Sequence, residues 1–481
     1  MKTVQQYLDE CPKWSDGTPA MGSPLTKMQL WIFWMACAGK FFEGMVIFMT
    51  GVALPMISKE YALNSSEQGL VTAASLAGIL VGASFLGGLA DIFGRKLLFV
   101  GELVIFVLFL IVLTLAPNFI VVVICLFGAG VALGCDYPVA HLIISESIPT
   151  STRGRLVLIA FAFQAVGAFI GTVVGFLILY NNPQIEAWRW MFGSAVIPAI
   201  AIVIGRLFVT ESPHWLVARN RMAEAEHATK RLLSRVPSYP SEVRLVNPHD
   251  GKKKKPSNYG ALFLKENRRA TILASVPWFI QDLSTYGIGI FTPTILATMI
   301  GSQQQGEGLS SLIHNDMLAA KGSAVMDLFF LFGILAAIWL VDKAGRMKLQ
   351  IVGFIGCAAG LLMAAFSIRP DGSNNMTLLF LGFLFFYFMT NMGPNAMTYL
   401  VAGEVFPTRL RGKGAGFAAS FAKIGAVLTA FLFPILLRAT GTMILLYGLV
   451  ITSLIGAAIT WMFAIETRGV NLETVGMAET P

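Results

Sequence analysis

The sequence predicts an all-α membrane protein with twelve transmembrane helices in two six-helix bundles. Two observations support this fold class. Of the 481 residues, 56% are hydrophobic and only 13% are charged, which is not the balance of a soluble globular domain. The apolar residues also form runs that each approach the ~20 residues needed to cross a bilayer. These runs lie at about 28–56, 66–90, 97–116, 119–144, 156–180, 189–209, 270–297, 322–341, 349–368, 376–400, 414–437 and 442–464.

One loop is much longer than the others and divides the chain. We therefore predict an N-terminal six-helix bundle over 1–209, a cytoplasmic central loop over 210–269 and a C-terminal six-helix bundle over 270–481. The residues before the first apolar run are polar and do not have the pattern of a cleavable signal peptide, so this first run is itself predicted to span the membrane.

Lys and Arg residues are distributed unevenly between alternate loops. The side that holds both termini and the central loop has 28 of the 35, and the other side has five. Because short cytoplasmic loops are enriched in Lys and Arg, both termini and the central loop are predicted to be cytoplasmic, in a bacterial inner membrane or a plasma membrane. The run Lys252–Lys255 belongs to this excess; a nuclear or phosphoinositide signal is the weaker alternative. No nucleic-acid partner is expected.

Motifs of catalysis and cofactor binding are missing from the sequence. The five cysteines form no CxxC pair and suggest neither a disulfide framework nor a metal site. We also find no nucleophile motif and no phosphate-cradling glycine-rich loop. The sequence therefore predicts no enzyme activity and no cofactor.

Two charged motifs recur in the same order in both halves. Each half has an Asp and an Arg four residues apart after its second span, and a Glu and an Arg seven residues apart after its fourth. These residues are Asp91, Arg95, Glu146 and Arg153 in the first half and Asp342, Arg346, Glu404 and Arg411 in the second. Such repetition indicates a duplicated six-span unit. We predict that the charges form networks between the bundles that hold a cytoplasmic gate closed; the alternative is solvated loop charges that only set orientation.

The seventh span carries an acid between two aromatic residues. Trp278, Asp282 and Tyr286 are spaced four apart, so they lie along one face of a helix. A carboxylate at membrane depth costs several kcal/mol unless it faces a water-filled cavity or a partner. This favours a substrate or proton site, and the alternative is an acid neutralised by packing against a neighbouring helix.

Other spans also carry polar residues. In the first span, Lys40 and Glu43 are three residues apart, so they either pair structurally or leave Glu43 as a cavity acid. In the fourth, Asp136 lies beside Pro138, which can kink the helix. Glu102 is expected near a cytoplasmic helix end, and His141 as a hydrogen-bonded core residue rather than a proton relay. The remaining polar residues within the spans are Gln164, Asp327, Asn391, Asn395 and Lys423.

The chain resembles the major facilitator superfamily over nearly its whole length. Gly87–Lys96 is similar to the signature loop between the second and third spans of that superfamily. Glu211–Leu216 resembles the PESPRWL element of its sugar-porter-like members, with His214 in place of Arg, and Glu466–Gly469 resembles their PETKG element. The resemblance implies two six-helix bundles around a central cavity that opens alternately to the two sides.

A narrower group, the proton-coupled phosphate symporters, is similar in its site motifs. The shared features are a DYP in the fourth span, the aromatic–acid–aromatic spacing in the seventh, a GPN in the tenth and a lysine in the eleventh. The resemblance implies a phosphate pocket lined by Tyr137, Gln164, Trp278, Asp282, Tyr286 and Asn395, with Lys423 adding positive charge. The chain departs from the group in the first span, where Glu43 replaces a pair of acids.

These features predict a proton-coupled symporter of a small anion, with inorganic phosphate as the first candidate. Asp282 would carry the coupled proton, with Glu43 and Asp136 as alternatives if Lys423 holds Asp282 ionised. An organic anion or a sugar is the alternative substrate, and a nutrient-sensing transceptor is the alternative class. We expect a monomer whose partners are the small anionic substrate, protons and the lipid bilayer.

Overall fold

The computed structural model describes most of the chain. The described residues are 2–10, 25–86, 89–234, 242–246, 259–303, 309–367, 375–407 and 410–468. Among the residues singled out from the sequence, the side chains of Asp91 and Tyr137 lie outside the description although their backbone is within these ranges. What the sequence predicted for these two side chains and for Lys252–Lys255 therefore concerns parts of the chain that are not described.

Long helices account for the whole transmembrane part of the described chain. In the first half they are Lys27–Glu60, Ser65–Leu86, Arg95–Thr114, Phe119–Ser147, Thr150–Asn181 and Ala187–Leu207. In the second half they are Lys265–Gln303, Leu309–Ala344, Arg346–Phe366, Met376–Met392 continued by Pro394–Glu404, and Arg411–Met462. We refer to the spans by their order along the chain.

Two helices explain how these segments give twelve spans. Arg411–Met462 contains Gly441 with φ 79°, a left-handed conformation that turns the chain between the eleventh and twelfth spans. Ten helices of the described chain are long and apolar enough to cross a membrane, and Lys265–Gln303 is not among them. Its polar residues lower its hydropathy although its length suffices. The predicted fold class is confirmed.

The tenth span is broken in its middle. The backbone of Gly393 has non-helical angles, and Pro394 begins the second segment, because proline lacks the N–H that would continue the helix. Pro138, by contrast, lies inside the uninterrupted helix Phe119–Ser147. The tenth span is therefore interrupted between Asn391 and Asn395, whereas the helix of the fourth span continues past Pro138.

The shorter helices lie at one face of the bundle. We call this face, which carries residues 2–10, 210–234 and 464–468, the loop side, and the other face the opposite side. On the loop side Asp9 accepts hydrogen bonds from the backbone N and the hydroxyl of Thr150 at 2.7 and 2.9 Å. Burial raises the pKa of Asp9, but these hydrogen bonds lower it, and the pKa lies below its usual value. The N-terminal helix is thereby fixed to the start of the fifth span.

The two halves contact each other on both sides of the membrane centre. Toward the opposite side, a Cβ atom on Gly51 would lie 2.1 Å from the carbonyl oxygen of Ile290, so only glycine permits this approach of the first and seventh spans. Toward the loop side, the rings of Phe161 and Tyr399 stack with centroids 4.5 Å apart. The structure is therefore a closed conformation in which the centre is shielded from both faces.

Candidate functional site

Four buried charges from both halves meet at the centre of the bundle. Lys423 Nζ lies 3.2 Å from Asp282 Oδ2 and 3.8 Å from Glu43 Oε1, and Lys40 Nζ lies 2.5 Å from Glu43 Oε2. We call these four residues the central cluster. Two cations and two anions compensate each other there, which is the condition under which buried charges are tolerated. Lys40 and Glu43 form the pair that one interpretation of the sequence predicted. This pair also faces the centre of the bundle, which the other interpretation required of Glu43.

The four side chains of the central cluster come from the first, seventh and eleventh spans. Lys40 and Glu43 are three residues apart on one face of the first span. Asp282 comes from the seventh span and Lys423 from the eleventh, so the 3.8 Å contact between Lys423 and Glu43 joins the two halves. At Gly44, a Cβ atom would lie 2.0 Å from the carbonyl oxygen of Gln164. This close approach places the fifth span beside the first.

Two neutral side chains extend the cluster. Lys423 Nζ donates to the hydroxyl oxygen of Tyr286 at 2.7 Å. Gln164 Nε2 donates to the same hydroxyl at 3.0 Å and to Glu43 Oε1 at 3.4 Å. Gln164 belongs to the first half and Tyr286 to the second, so this amide also bridges the halves. The structure thus brings together Gln164, Asp282, Tyr286 and Lys423, which the resemblance to phosphate symporters implied for one pocket; their role in substrate binding stays a prediction.

Aromatic rings close the cluster toward the loop side. Trp278 packs edge-on against Tyr399 with centroids 6.1 Å apart, and Tyr399 stacks on Phe161. Lys40 Nζ lies 6.0 Å from the centroid of Phe161, so the rings adjoin the central cluster. Trp278 was a candidate site residue from the sequence, and Tyr399 was not. The spacing gave a signal, because Tyr399 follows Asn395 by one helical turn.

Asn395 lies apart from the four charges in the described contacts. Its Nδ2 donates to Asn391 Oδ1 at 2.7 Å, and Asn391 Nδ2 donates to the carbonyl oxygen of Phe330 at 2.7 Å. These bonds hold the break in the tenth span against the eighth span. The predicted role of Asn395 in a substrate pocket remains a prediction.

Asp136 belongs to a second buried charge group in the first half. Arg206 donates to Asp136 Oδ1 at 2.7 Å and to Glu102 Oε1 at 2.8 Å, and its guanidinium carbon lies 3.6 Å from the ring centroid of Phe99. Arg206 has no exposed surface. We call Glu102, Asp136 and Arg206 the Arg206 triad.

Glu102 and Arg206 lie in the loop-side parts of the third and sixth spans. From the sequence, Arg206 was one of the charges around the central loop, and Glu102 was expected near a cytoplasmic helix end. Both side chains are buried among the third, fourth and sixth spans. The position of Arg206 inside the sixth apolar run was the signal that the charge count passed over. Asp136 as a proton-coupling acid stays a proposal.

The repeated charged motifs form matching networks on the loop side. In the first half, Arg95 pairs with Glu146 at 3.2 Å, and Ser212 donates to the same carboxylate. Glu211 accepts from the backbone N of Arg95 and of Lys96, each at 3.1 Å, and so caps the start of the third span. Burial lowers the pKa of the adjacent His214, although the Glu146 carboxylate acts in the opposite direction.

The second half repeats this arrangement. Arg346 pairs with Glu404 at 3.1 Å, and Thr467 donates to Glu404 at 2.5 Å. Glu466 accepts from the backbone N of Arg346 and of Met347 at 3.0 and 3.1 Å. The capping carboxylates Glu211 and Glu466 were not singled out as site residues, although their neighbours Ser212 and Thr467 repeat with them.

The described bonds of both networks join elements of the same half. Asp342 pairs with Arg346 at 3.4 Å, Arg153 donates to Gln5 at 3.0 Å, and Arg411 donates to the carbonyl oxygen of Phe406 at 3.4 Å. From the sequence, these networks were expected between the bundles. In this closed structure the described ion pairs instead bind each half to its own loops, so a gating role would have to act through the shape of each half.

A metal centre is not indicated in the described part of the chain. There, no three His, Cys, Asp or Glu side chains are grouped so that they could hold a metal ion.

A helical protein with two six-span halves, closed around a buried charged cluster, is a transporter of the major facilitator type rather than an enzyme. The chain belongs to the family described as "Sugar (and other) transporter", which matches residues 31–478. It is an integral membrane protein that transports small solutes.

Relatives and solved structures agree with this family. The chain is 30% identical over 439 residues to the putative metabolite transport protein YaaU of Escherichia coli (strain K12), covering 90% of this chain and 91% of that protein. It is 28% identical to the glucose transporter GlcP of Staphylococcus epidermidis, with 88% and 91% covered. It is 26% identical to the putative inorganic phosphate transporter C8E4.01c of Schizosaccharomyces pombe, with 87% and 82% covered.

The structure of the E. coli xylose transporter XylE in a partially occluded inward-open conformation has the same fold. Its TM-score is 0.74 at 18% identity, and the match covers 93% of this chain and 100% of XylE. The names of these relatives favour sugars and metabolites in general. The relative named as a phosphate transporter is less similar than the other two, at 26% identity.

Proposed function

We propose that this protein is a proton-coupled symporter of a small anion, with inorganic phosphate as the first candidate substrate. The observation that carries the proposal is the position of Lys423. This buried cation lies at the contact between the halves, 3.2 Å from Asp282 and 2.7 Å from the Tyr286 hydroxyl. A lysine ammonium is a point charge with three donors, which suits an anion of tetrahedral shape. Gln164 and Tyr286 supply further donors beside it.

The ion pair between Lys423 and Asp282 suggests how a proton and an anion are coupled. While Asp282 is ionised, it neutralises Lys423 and repels an anion. A proton on Asp282 removes this competition, and the anion then takes the place of the carboxylate as the partner of Lys423. Proton binding and anion binding therefore favour each other through one coupling free energy. Loss of the proton on the other side restores the ion pair and expels the anion.

Asp282→Asn should uncouple transport from the proton gradient. The amide imitates the protonated acid, so the variant should still exchange labelled phosphate across proteoliposome membranes but fail to concentrate it when a proton gradient is imposed. Asp282→Glu keeps a titratable group and serves as the matched control. Accumulation of phosphate by Asp282→Asn under the gradient would show that Asp282 does not carry the coupled proton. Glu43 would then be the next acid to test.

A neutral sugar or polyol is the second candidate substrate. One observation favours it: the central cluster has no net charge, because Lys40 and Lys423 balance Glu43 and Asp282. The similarity to a protein named as a glucose transporter points the same way. A neutral substrate would not need the charge of Lys423, so the effect of Lys423→Gln on binding separates the two candidates. A transceptor would bind the substrate with little flux in the same proteoliposomes.

The proposed orientation places both termini and the central loop in the cytoplasm. A cysteine introduced at Lys253, in a Cys11→Ser background, should be protected from a membrane-impermeant thiol reagent in intact cells and react after permeabilisation. A cysteine at Gln184, which lies on the opposite side, should react in intact cells. Labelling of the Lys253 position from outside, together with protection at Gln184, would mean that the orientation is inverted.

A further inference from the structure

Asp327 is a buried acid that belongs to neither the central cluster nor the Arg206 triad. It lies in the eighth span, is 1% exposed, and its Oδ1 atom has no hydrogen-bond partner. No Lys, Arg or His of the described chain forms an ion pair with it. An ionised carboxylate in this position would be buried without compensation, which is strongly unfavourable.

The contact of Asp327 with Thr172 also indicates a protonated acid. Thr172 Oγ1 lies 2.6 Å from Asp327 Oδ2 and 3.0 Å from the carbonyl oxygen of Ala168 in its own helix. A threonine hydroxyl has one hydrogen to donate. If it donates to Ala168, as hydroxyls within helices do, the short contact with Asp327 requires a proton on the carboxyl group, which then donates to Thr172.

The contact between Thr172 and Asp327 joins the two halves, and it lies between the central cluster and the opposite side of the bundle. Thr172 follows Gln164 by eight residues in the fifth span, so it lies about 12 Å further toward the opposite side. Asp327 comes from the second half. The hydrogen bond between them can therefore exist only while the halves are closed on that side.

The groups around Asp327 bring no charge that would replace the proton. From the tenth span the titratable group that faces it is Tyr387, whose hydroxyl donates to Thr292 of the seventh span at 3.0 Å. Phe330 packs between Tyr387 and Phe48 of the first span, with both centroid distances 6.0 Å.

We propose that Asp327 is a proton-binding site distinct from the central cluster, and that its protonation is required for the halves to close on the opposite side. When the halves separate there, water reaches the carboxyl group and it can ionise. Closure then returns it to an apolar contact, which only the neutral form tolerates. The direction follows: lower pH favours the closed conformation, and higher pH favours opening on that side.

Distance measurements between spin labels at Gln184 and Thr440 test this inference. Both positions are exposed on the opposite side, one in each half. In a Cys11→Ser background, the wild-type distance should shorten as the pH is lowered from about 9 to 5. Asp327→Asn should populate the short distance over the whole range, because the amide needs no proton. The measurement uses no substrate, so an error in the proposed substrate leaves its outcome interpretable.

Two further variants keep the test decisive. Thr172→Val retains the acid but removes its hydrogen bond, so closure should weaken about two- to tenfold and the transition should move to lower pH. Asp316→Asn is the matched control: Asp316 is another buried acid of the eighth span with an unpartnered oxygen, and the transition should remain. A wild-type distance that ignores pH, or a transition unchanged in Asp327→Asn, would overturn the proposal. If Asp327→Asn does not fold, an unshifted transition in Thr172→Val overturns it.

Discussion

Lys423→Gln is expected to lower the affinity for phosphate by about two orders of magnitude, the scale of losing one partner of a buried charge pair. While Asp282 is ionised, the variant leaves two acids with Lys40 as their remaining cation in the central cluster, so the cluster is negative and repels an anion. Once Asp282 is protonated, Glu43 still neutralises Lys40 and no cation is left to bind the anion. A neutral solute would lose a hydrogen bond only, with a change of about tenfold or less. Calorimetry on the purified protein with phosphate, and with glucose as the neutral comparison, measures both.

Two control variants separate charge from shape at this position. Lys423→Arg keeps the positive charge and should retain most of the phosphate affinity. Lys423→Gln combined with Asp282→Asn restores a neutral cluster and should recover part of the lost affinity, because the repulsion is removed. If glucose proves the better ligand and binds equally well to Lys423→Gln, the anion proposal is wrong and the neutral candidate takes its place.

Arg206→Met should destabilise the protein by about 3–5 kcal/mol, the cost of removing one member of a buried ion group. Glu102 and Asp136 would then be buried without their shared cation, and the guanidinium contact with Phe99 would be lost as well. The midpoint of thermal unfolding in detergent should fall clearly below that of the wild type. Glu102→Gln, which leaves Asp136 paired with Arg206, should change the midpoint much less.

A triple variant tests whether charge is the reason. Arg206→Met together with Glu102→Leu and Asp136→Leu replaces the whole Arg206 triad by apolar side chains, and it should recover most of the lost stability. Wild-type stability of Arg206→Met alone would show that the two acids do not depend on the arginine.

The fold was predictable because it rests on quantities that a sequence displays directly. Apolar runs of sufficient length predicted every span, even the seventh, whose Asp282 and neighbouring polar residues lower its hydropathy. Residues four apart on that helix also predicted correctly that Asp282 and Tyr286 share a face, and both now contact Lys423. Periodicity within one helix is local information, and local geometry was enough for these statements.

What could not be predicted was which helices face each other. Arg206 pairs with Glu102, which is more than a hundred residues earlier in the chain, and nothing in either segment shows that the third and sixth spans pack together. A position near the end of an apolar run made Arg206 look like a loop charge. For Arg95 and Arg346 the repeat identified the members of each network, but it did not show whether their partners lie within one half or between the halves.

The glycine contacts between the halves bear on how fast the protein can change conformation. Gly51 meets the backbone of Ile290, and Gly69 meets the backbone of Phe431, where a Cβ atom would lie 2.3 Å from the carbonyl oxygen. At such points no side chain of one half sits in a groove of the other half. The two surfaces can therefore slide past each other without a side chain first leaving a groove. Surfaces of this kind favour rocking of rigid halves over a low energy barrier. The polar contacts between the halves then determine the rate of each step.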